Sequence, residues 1–340
     1  MLILAGATCF AEENEPATTP DGTYQFAERD TCNLFFDLYR RSEGSVSAID
    51  GKEKPTVLFA FGGGFISGSR NEKAYLGWFK DLQDNGYNVI SIDYRLGMKG
   101  MKKVGLAQAN EIFKAMQMAV DDLFSATKYI IEHGEELGID PYNIVISGSS
   151  AGAITVMQAE YEICNGFEES KVLPEDFNYA GVMSFAGAVA SIKGGIDYKK
   201  EPCPTLMFHG KSDKIVNYNM KGAFGIGLFG SNYIAKKLEK KGYFYDILRF
   251  ENHQHEIASA MSYTVPLQIA FIETNVIKGA RSKVDATIDD PRVPNPNWSN
   301  KLDDLYKKTF LKAIAALWPP NPIELLRAIV RGASTALFGV

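Results

Sequence analysis

Gly148-Ser149-Ser150-Ala151-Gly152 is the stretch on which the reading of this chain turns. It fits the pattern G-x-S-x-G, with Ser150 at its centre. Upstream, Asn143-Ile144-Val145-Ile146-Ser147 is a short β-branched run that reads as a buried strand, and from Ala151 to Ala159 the spacing turns helical. The pentapeptide alone is common by chance in Gly/Ser-rich loops; a strand before it and a helix after it give it meaning. In that context the turn forces the serine into a strained conformation, and the small residues around it let strand and helix approach closely. The Ser150 hydroxyl is then lifted above the sheet, with the next backbone N–H pointing into the same space. Ser150 is a candidate nucleophile.

The 340 residues are 46% hydrophobic and 23% charged, enough for one large α/β core that need not be divided. A net charge of −5 and the lack of any Lys/Arg run argue against a nucleic-acid surface. No apolar stretch is long enough to span a bilayer. Residues 2–11 resemble the apolar part of a secretory signal with cleavage after Ala11, although the basic segment that normally precedes it is missing. On this reading residues 1–11 are a shortened signal peptide and the protein is secreted or periplasmic; a frayed apolar terminus is the alternative. Residues 12–22 are acidic and Pro/Thr-rich and are expected to be disordered. Cleavage would remove Cys9 and leave Cys32, Cys164 and Cys203, whose spacing suits neither a metal site nor a disulfide framework.

Along the chain, Thr23–Ala27 and Leu34–Tyr39 read as an opening antiparallel pair at a sheet edge. Thr56-Val57-Leu58-Phe59-Ala60-Phe61 is a continuous apolar run, as expected of a strand buried on both faces, and it leads straight into Gly62-Gly63-Gly64-Phe65. A helix is expected from Glu72 to Asn85, a buried strand at Val89–Asp93, and a long or broken helix from Gln108 to His133. His133 falls where it would complement the dipole of that helix's C-terminus. Further strands fall at Gly181–Phe185, Thr205–Phe208 and Tyr243–Phe250, with helices at Asn232–Lys241 and Glu256–Val276. Strands alternating with helices predict a mostly parallel sheet of about eight strands with helices on both faces. Sites in such sheets lie beyond the C-terminal ends of the strands.

A nucleophilic serine needs a base, a group that orients the base, and donors for the developing oxyanion. The amides of Gly63 and Gly64, in a glycine loop after a buried strand, together with that of Ala151, could hold that charge. Asp213, in the loop after an apolar strand, offers the acid. His209 is too near the strand end and too local to Asp213 to be an obvious base, and a hydrogen bond to backbone suits it better. After the last strand come His253 and His255, and His255, next to the expected helix start, is preferred as the base. His253 is expected on the strand side, either partly exposed or just behind the catalytic groups. The chain order Ser150, Asp213, His255 is the one an α/β-hydrolase requires.

Other motifs carry less. Gly225-Ile226-Gly227-Leu228-Phe229-Gly230 matches G-x-G-x-x-G, but the residues before it, Val216 to Lys221, are polar and turn-like. It reads as a flexible loop bearing phenylalanine near the mouth of a pocket. Four scattered histidines without H-E-x-x-H give no basis for a metal, and no cofactor is expected. Asp121-Asp122 reads as a helix-surface pair, one member of which could be tied to Arg95.

Taken together, Phe61–Phe65, Asp93-Tyr94-Arg95, Ile139-Asp140-Pro141, Gly148–Gly152, His209–Asp213 and His255 resemble the α/β-hydrolase superfamily. Within it they are most similar to carboxylesterases of the hormone-sensitive-lipase and feruloyl/acetyl-xylan esterase types, over roughly residues 23–276. The resemblance implies Ser150 as nucleophile, Asp213 as acid, His255 as base and the amides of Gly63, Gly64 and Ala151 as oxyanion hole. Two positions depart from the family: Phe61 stands where a histidine commonly precedes the glycines, and Gln254 where a glycine often precedes the catalytic histidine. An N-terminal cap is little developed or absent, since the first strand begins near Thr23, and a short cap does not favour long-chain lipids.

The expected organisation is a hydrolase domain over residues 23–280 and an extension of unknown role over 281–340. Residues Ala286 to Asn300 are Pro/Asp/Asn-rich, and Ile323, Leu326, Ile329 and Val330 could form an amphipathic face that packs on the domain, meets a partner or rests on a membrane. The first functional reading is a serine carboxylesterase acting on small-molecule or carbohydrate-linked acyl esters. The alternatives are a serine peptidase on the same scaffold and a non-catalytic binding protein that keeps the fold.

Overall fold

Residues 17–100, 109–192, 194–223 and 226–289 are described by a computed structural model. The readings made for residues 1–16 and for the segment after 289 lie outside these residues. In chain order the elements are β1 (Gly22–Arg29), β2 (Cys32–Tyr39), β3 (Ala48–Ile49), β4 (Lys52–Glu53), β5 (Thr56–Ala60), α1 (Lys73–Asp84), β6 (Val89–Ile92), α2 (Ala109–Leu137), β7 (Ile144–Ser149) and α3 (Ala151–Asn165). There follow β8 (Gly181–Phe185), β9 (Ala188–Ser191), β10 (Thr205–Gly210), β11 (Met220–Ala223), β12 (Ile226–Gly230), α4 (Ser231–Lys241), β13 (Asp246–Phe250), α5 (Val265–Phe271) and β14 (Asp285–Ile288).

The main sheet has nine strands in the order β1-β2-β6-β5-β7-β8-β10-β13-β14. Its first two pairings, β1 with β2 and β2 with β6, are antiparallel, and the rest are parallel. Every residue of β5, β6, β7, β8 and β10 is buried, because helices cover both faces and a continuous apolar run is the sequence that suits such a strand. Strand β1 instead alternates in burial, as an edge strand does. Helix α1 turns Tyr75, Leu76, Trp78, Phe79 and Leu82 inward, and the Phe59 ring meets those of Tyr75, Trp78 and Phe79 edge-on at 4.8–5.6 Å. Truncating Phe59 to alanine would cost about 3–5 kcal/mol.

The structure corrects several expectations. The sheet does not stop near residue 280: β14 adds a ninth strand parallel to β13, so part of the expected extension belongs to the domain. Residues 226–230 are not a flexible loop but strand β12, paired to both β11 and β9 in a small second sheet. Phe229 is fully buried against Tyr233, with ring centroids 4.7 Å apart. The expected helix over 256–276 is broken. His255–Ser259 and Ser262–Thr264 are 3-10 turns, and the α-helix begins only at Val265 with Pro266 in its first turn, where a proline, having no N–H to reach residue 262, cannot continue a helix from upstream. Asp122 is not on the surface. It is fully buried; it takes the Arg95 Nε at 2.8 Å, the tie the sequence allowed for, and the Arg29 Nε at 3.1 Å as well, and so ties α2 to the start of the sheet. His133 lies one turn before the end of α2, stacked on Tyr129 at 4.2 Å.

Candidate active site

Strand β7 ends at Ser149, and α3 begins at Ala151, leaving one residue for the turn. That residue, Ser150, has φ 50° and ψ −111°, a conformation rare for a non-glycine residue. It is held there from both sides: its N–H donates to Phe185 O at 2.9 Å, and its carbonyl accepts from Ile154 N at 2.9 Å. So tight a turn also requires close approach of backbones. A Cβ on Gly148 would lie 2.3 Å from the Gly152 carbonyl, and one on Gly152 would lie 2.0 Å from Ala60 O. Both motif glycines are thereby accounted for.

The Ser150 Oγ lies 2.7 Å from His255 Nε2, and His255 Nδ1 lies 2.7 Å from Asp213 Oδ2. A carboxylate accepts, so Nδ1 carries the proton and Nε2 is left to accept from the serine hydroxyl. His255 is buried at the start of a 3-10 segment, His255–Ser259. Asp213 is buried too, and its Oδ1 accepts from the amides of Ile215 at 2.8 Å and Val216 at 3.1 Å. Burial by itself would raise the Asp213 pKa; hydrogen bonds from His209 and His255 outweigh it and hold the carboxyl down at about 2.

His209 keeps to the backbone role expected of it. Its Nε2 faces Val216 O at 2.9 Å and Asp213 Oδ2 at 3.3 Å; both are acceptors, so Nε2 carries the proton and Nδ1 accepts from Ser231 Oγ at 2.8 Å. Of the two places the sequence left open for His253, the exposed one is excluded. His253 is buried, with Nδ1 2.9 Å from Glu256 Oε1, and the same oxygen accepts from Gln254 N at 2.9 Å. A buried carboxylate one residue after His255 thus braces the loop that carries it, and the histidine turns inward to satisfy it.

Gly63 and Gly64 follow β5 and have φ 122° and 66°. A Cβ on Gly63 would meet Ser67 O at 2.0 Å, so the loop folds back on itself in a way only glycine allows. The loop runs beside the elbow, since a Cβ on Gly152 would also come within 2.5 Å of Phe61 O. Ala151, the first residue of α3, has an N–H with no acceptor within its own helix. Sequence reasoning did not single out Tyr75 or Ser149 as contributors. Yet Tyr75 Oη accepts from Gly62 N at 3.0 Å, and Ser149 Oγ donates to Ala258 O at 2.7 Å. Neither leaves a signal in spacing, because each meets a segment distant in the chain.

Strand order, the turn at Ser150 and the position of all three groups at the C-terminal ends of parallel strands decide the architecture. The fold is that of an α/β-hydrolase. Residues 45–189, from just before the β3–β4 hairpin to the start of β9, match the BD-FAE family model, an α/β-hydrolase-type esterase family. Gut esterase 1 of Caenorhabditis briggsae is 31% identical over 107 residues, which are 32% of this chain and 18% of that protein. Esterase LipI of Mycobacterium tuberculosis is 29% identical over 112 residues, 30% of this chain and 28% of that protein. The chain therefore aligns with under a third of the length of either relative. A thermophilic esterase of Thermogutta terrifontis superposes with a TM-score of 0.53 at 20% identity, over 75% of this chain and 92% of the other, a likeness of fold. The resemblance read from Phe61–Phe65 and Gly148–Gly152 is upheld by the family model, which spans both.

Proposed function

We propose that this α/β-hydrolase is a serine carboxylesterase that cleaves short-chain or carbohydrate-linked acyl esters through an acyl-enzyme on Ser150. The observation that carries the proposal is the unbroken line Ser150 Oγ, His255, Asp213, with 2.7 Å at each contact. As Ser150 Oγ attacks the acyl carbon, its proton passes to His255 Nε2. Asp213, kept ionised, holds Nδ1–H in place and stabilises the imidazolium that forms. The amides of Gly63, Gly64 and Ala151 would receive the negative charge on the former carbonyl oxygen. Collapse expels the alcohol, protonated from Nε2. A water deprotonated by the same nitrogen then releases the acid.

The family model and the esterases named above support an ester as substrate. A secreted or periplasmic location belongs to the proposal as well and rests on residues 2–11 alone. The test is treatment of the full chain with a fluorophosphonate probe, peptide mapping of the adduct, and a panel of esters and peptide amides. Adduct on Ser150 with ester turnover is the expected result. Adduct without ester turnover but with amide turnover would make the protein a peptidase, and no adduct would leave a binding protein.

A further inference from the structure

Three segments of the site come from distant parts of the chain: the glycine loop after β5, the elbow after β7, and the turn that begins at His255. One buried hydrogen bond ties the elbow to the His255 turn, another ties the glycine loop to α1, and the two lie side by side in a polar knot. Ser149, immediately before the nucleophile, is 1% exposed and donates through Oγ to Ala258 O at 2.7 Å, within the 3-10 segment that His255 opens. Tyr75, on α1 and 1% exposed, accepts the Gly62 N–H at 3.0 Å. The two hydroxyls crowd the same point. A Cβ on Gly62 would lie 3.0 Å from Ser149 Oγ, 3.2 Å from Ser149 O and 3.3 Å from Tyr75 Oη. On the far side of the same peptide plane, Phe61 O accepts from Tyr94 Oη at 2.8 Å, and the Phe61 and Tyr94 rings stack at 4.3 Å.

The Phe61–Gly62 peptide is thus fixed at both its N–H and its C=O. Its orientation sets where the next two amides, those of Gly63 and Gly64, point. Phe61 stands where the resembled esterases commonly place histidine, so the imidazole that would brace this loop is missing and tyrosine hydroxyls brace it instead. On the other side, the Ser149–Ala258 bond fixes the height of the His255 turn over the elbow.

We infer that Ser149 and Tyr75 are positioning residues, which lock the glycine loop, the Ser150 elbow and the His255 turn into one register. The inference rests on the esterase reading of Ser150. Catalysis is far more sensitive to such register than folding is, because a displacement of about 1 Å at the reacting atoms costs on the order of 100-fold in rate.

The test uses the full chain and an ester that the wild type hydrolyses, with kcat, KM, the rate of Ser150 phosphonylation and thermal unfolding as readouts. Ser149→Ala and Tyr75→Phe are each expected to lower kcat about 10–100-fold, to slow phosphonylation similarly, and to change KM by less than about threefold. Because both act on one knot, the double variant is expected to lose less than the product of the single losses. Gly62→Ala, which keeps both hydroxyls but intrudes between them, is expected to show the same kcat defect and tests the knot if Ser149→Ala does not fold. Ser147→Ala is the control: it removes a buried hydroxyl on the same strand that has no hydrogen-bond partner among the described residues, and kcat should stay within about twofold. Folded Ser149→Ala and Tyr75→Phe with kcat within about twofold of wild type, losses confined to KM, or fully multiplicative losses would overturn the positioning role while leaving the esterase intact. A wild type that neither labels nor turns over any ester would overturn the esterase reading and this role with it.

Discussion

His209 Nε2 lies 3.3 Å from Asp213 Oδ2, the oxygen that also faces His255 Nδ1. One buried carboxylate oxygen therefore sits between two imidazole N–H donors, while its partner oxygen is held by two backbone amides.

The first prediction concerns acid stability. The folded-state pKa of Asp213 is about 2 against an ordinary 3.8, so its ionised form is favoured by folding. That contribution is fully present above pH 3.8 and is lost as pH falls towards 2, with a magnitude of about 2 kcal/mol. The stability gap between wild type and Asp213→Asn should therefore narrow over that window in urea unfolding. A gap that is constant across it would show that the carboxylate is not held down.

Glu162 behaves in the opposite sense. It is fully buried on α3, accepts from Gln158 Nε2 at 3.0 Å and Gln117 Nε2 at 3.3 Å, and burial, offset only in part by these bonds, pushes its pKa up to about 7. A raised carboxyl pKa means stability present below 4.5 and lost as pH rises through 7. Relative to wild type, Glu162→Gln should gain on the order of 3 kcal/mol between pH 4.5 and 8. Parallel pH profiles for the two proteins would refute this.

For the nucleophile, Ser150→Ala should lower kcat roughly 10⁴–10⁶-fold and leave the circular dichroism spectrum unchanged. A well-folded variant that retains activity would remove Ser150 from the mechanism.

The two neighbouring histidines should separate. Only His255 faces Ser150 Oγ; His253 serves Glu256. His255→Ala should approach the loss of Ser150→Ala, and combining the two should add little, since they act as a unit. His253→Ala should cost roughly tenfold or less in kcat/KM but about 1–3 kcal/mol in stability, because a buried carboxylate loses a donor. The reverse order of damage to activity would shift the base by two residues in the chain.

Across an acyl series, kcat/KM should be highest for acetyl to butyryl esters and low for chains of about ten carbons or more, as the proposed short-chain preference requires. A maximum at long chains would mean that a deep acyl channel exists and that the substrate range proposed here is wrong.

The amino-acid sequence alone determined what is local. A β-branched run, a glycine-flanked serine and a helical spacing are all contained within residues 143–159, and together they specify the turn at Ser150. The continuous apolar run from Thr56 to Phe61 likewise marked β5 as a strand buried on both faces, since such a strand has no polar side to show. Nearness to the expected helix start, together with the family resemblance, favoured His255 over His253. What tertiary structure decided depends on partners far apart in the chain. Ser150 and His255 are separated by 105 positions, and Ser149 and Ala258 by 109, so no periodicity could reveal either contact. Burial of Asp122 was hidden for the same reason: its tie to Arg95 was open to the sequence reading, but a carboxylate reads as surface until Arg29, 93 positions away, is folded onto it too. Strands β12 and β14 escaped notice because glycine-rich and Asp/Pro-rich segments carry little strand propensity of their own; they are strands because β9 and β13 offered them an unpaired edge.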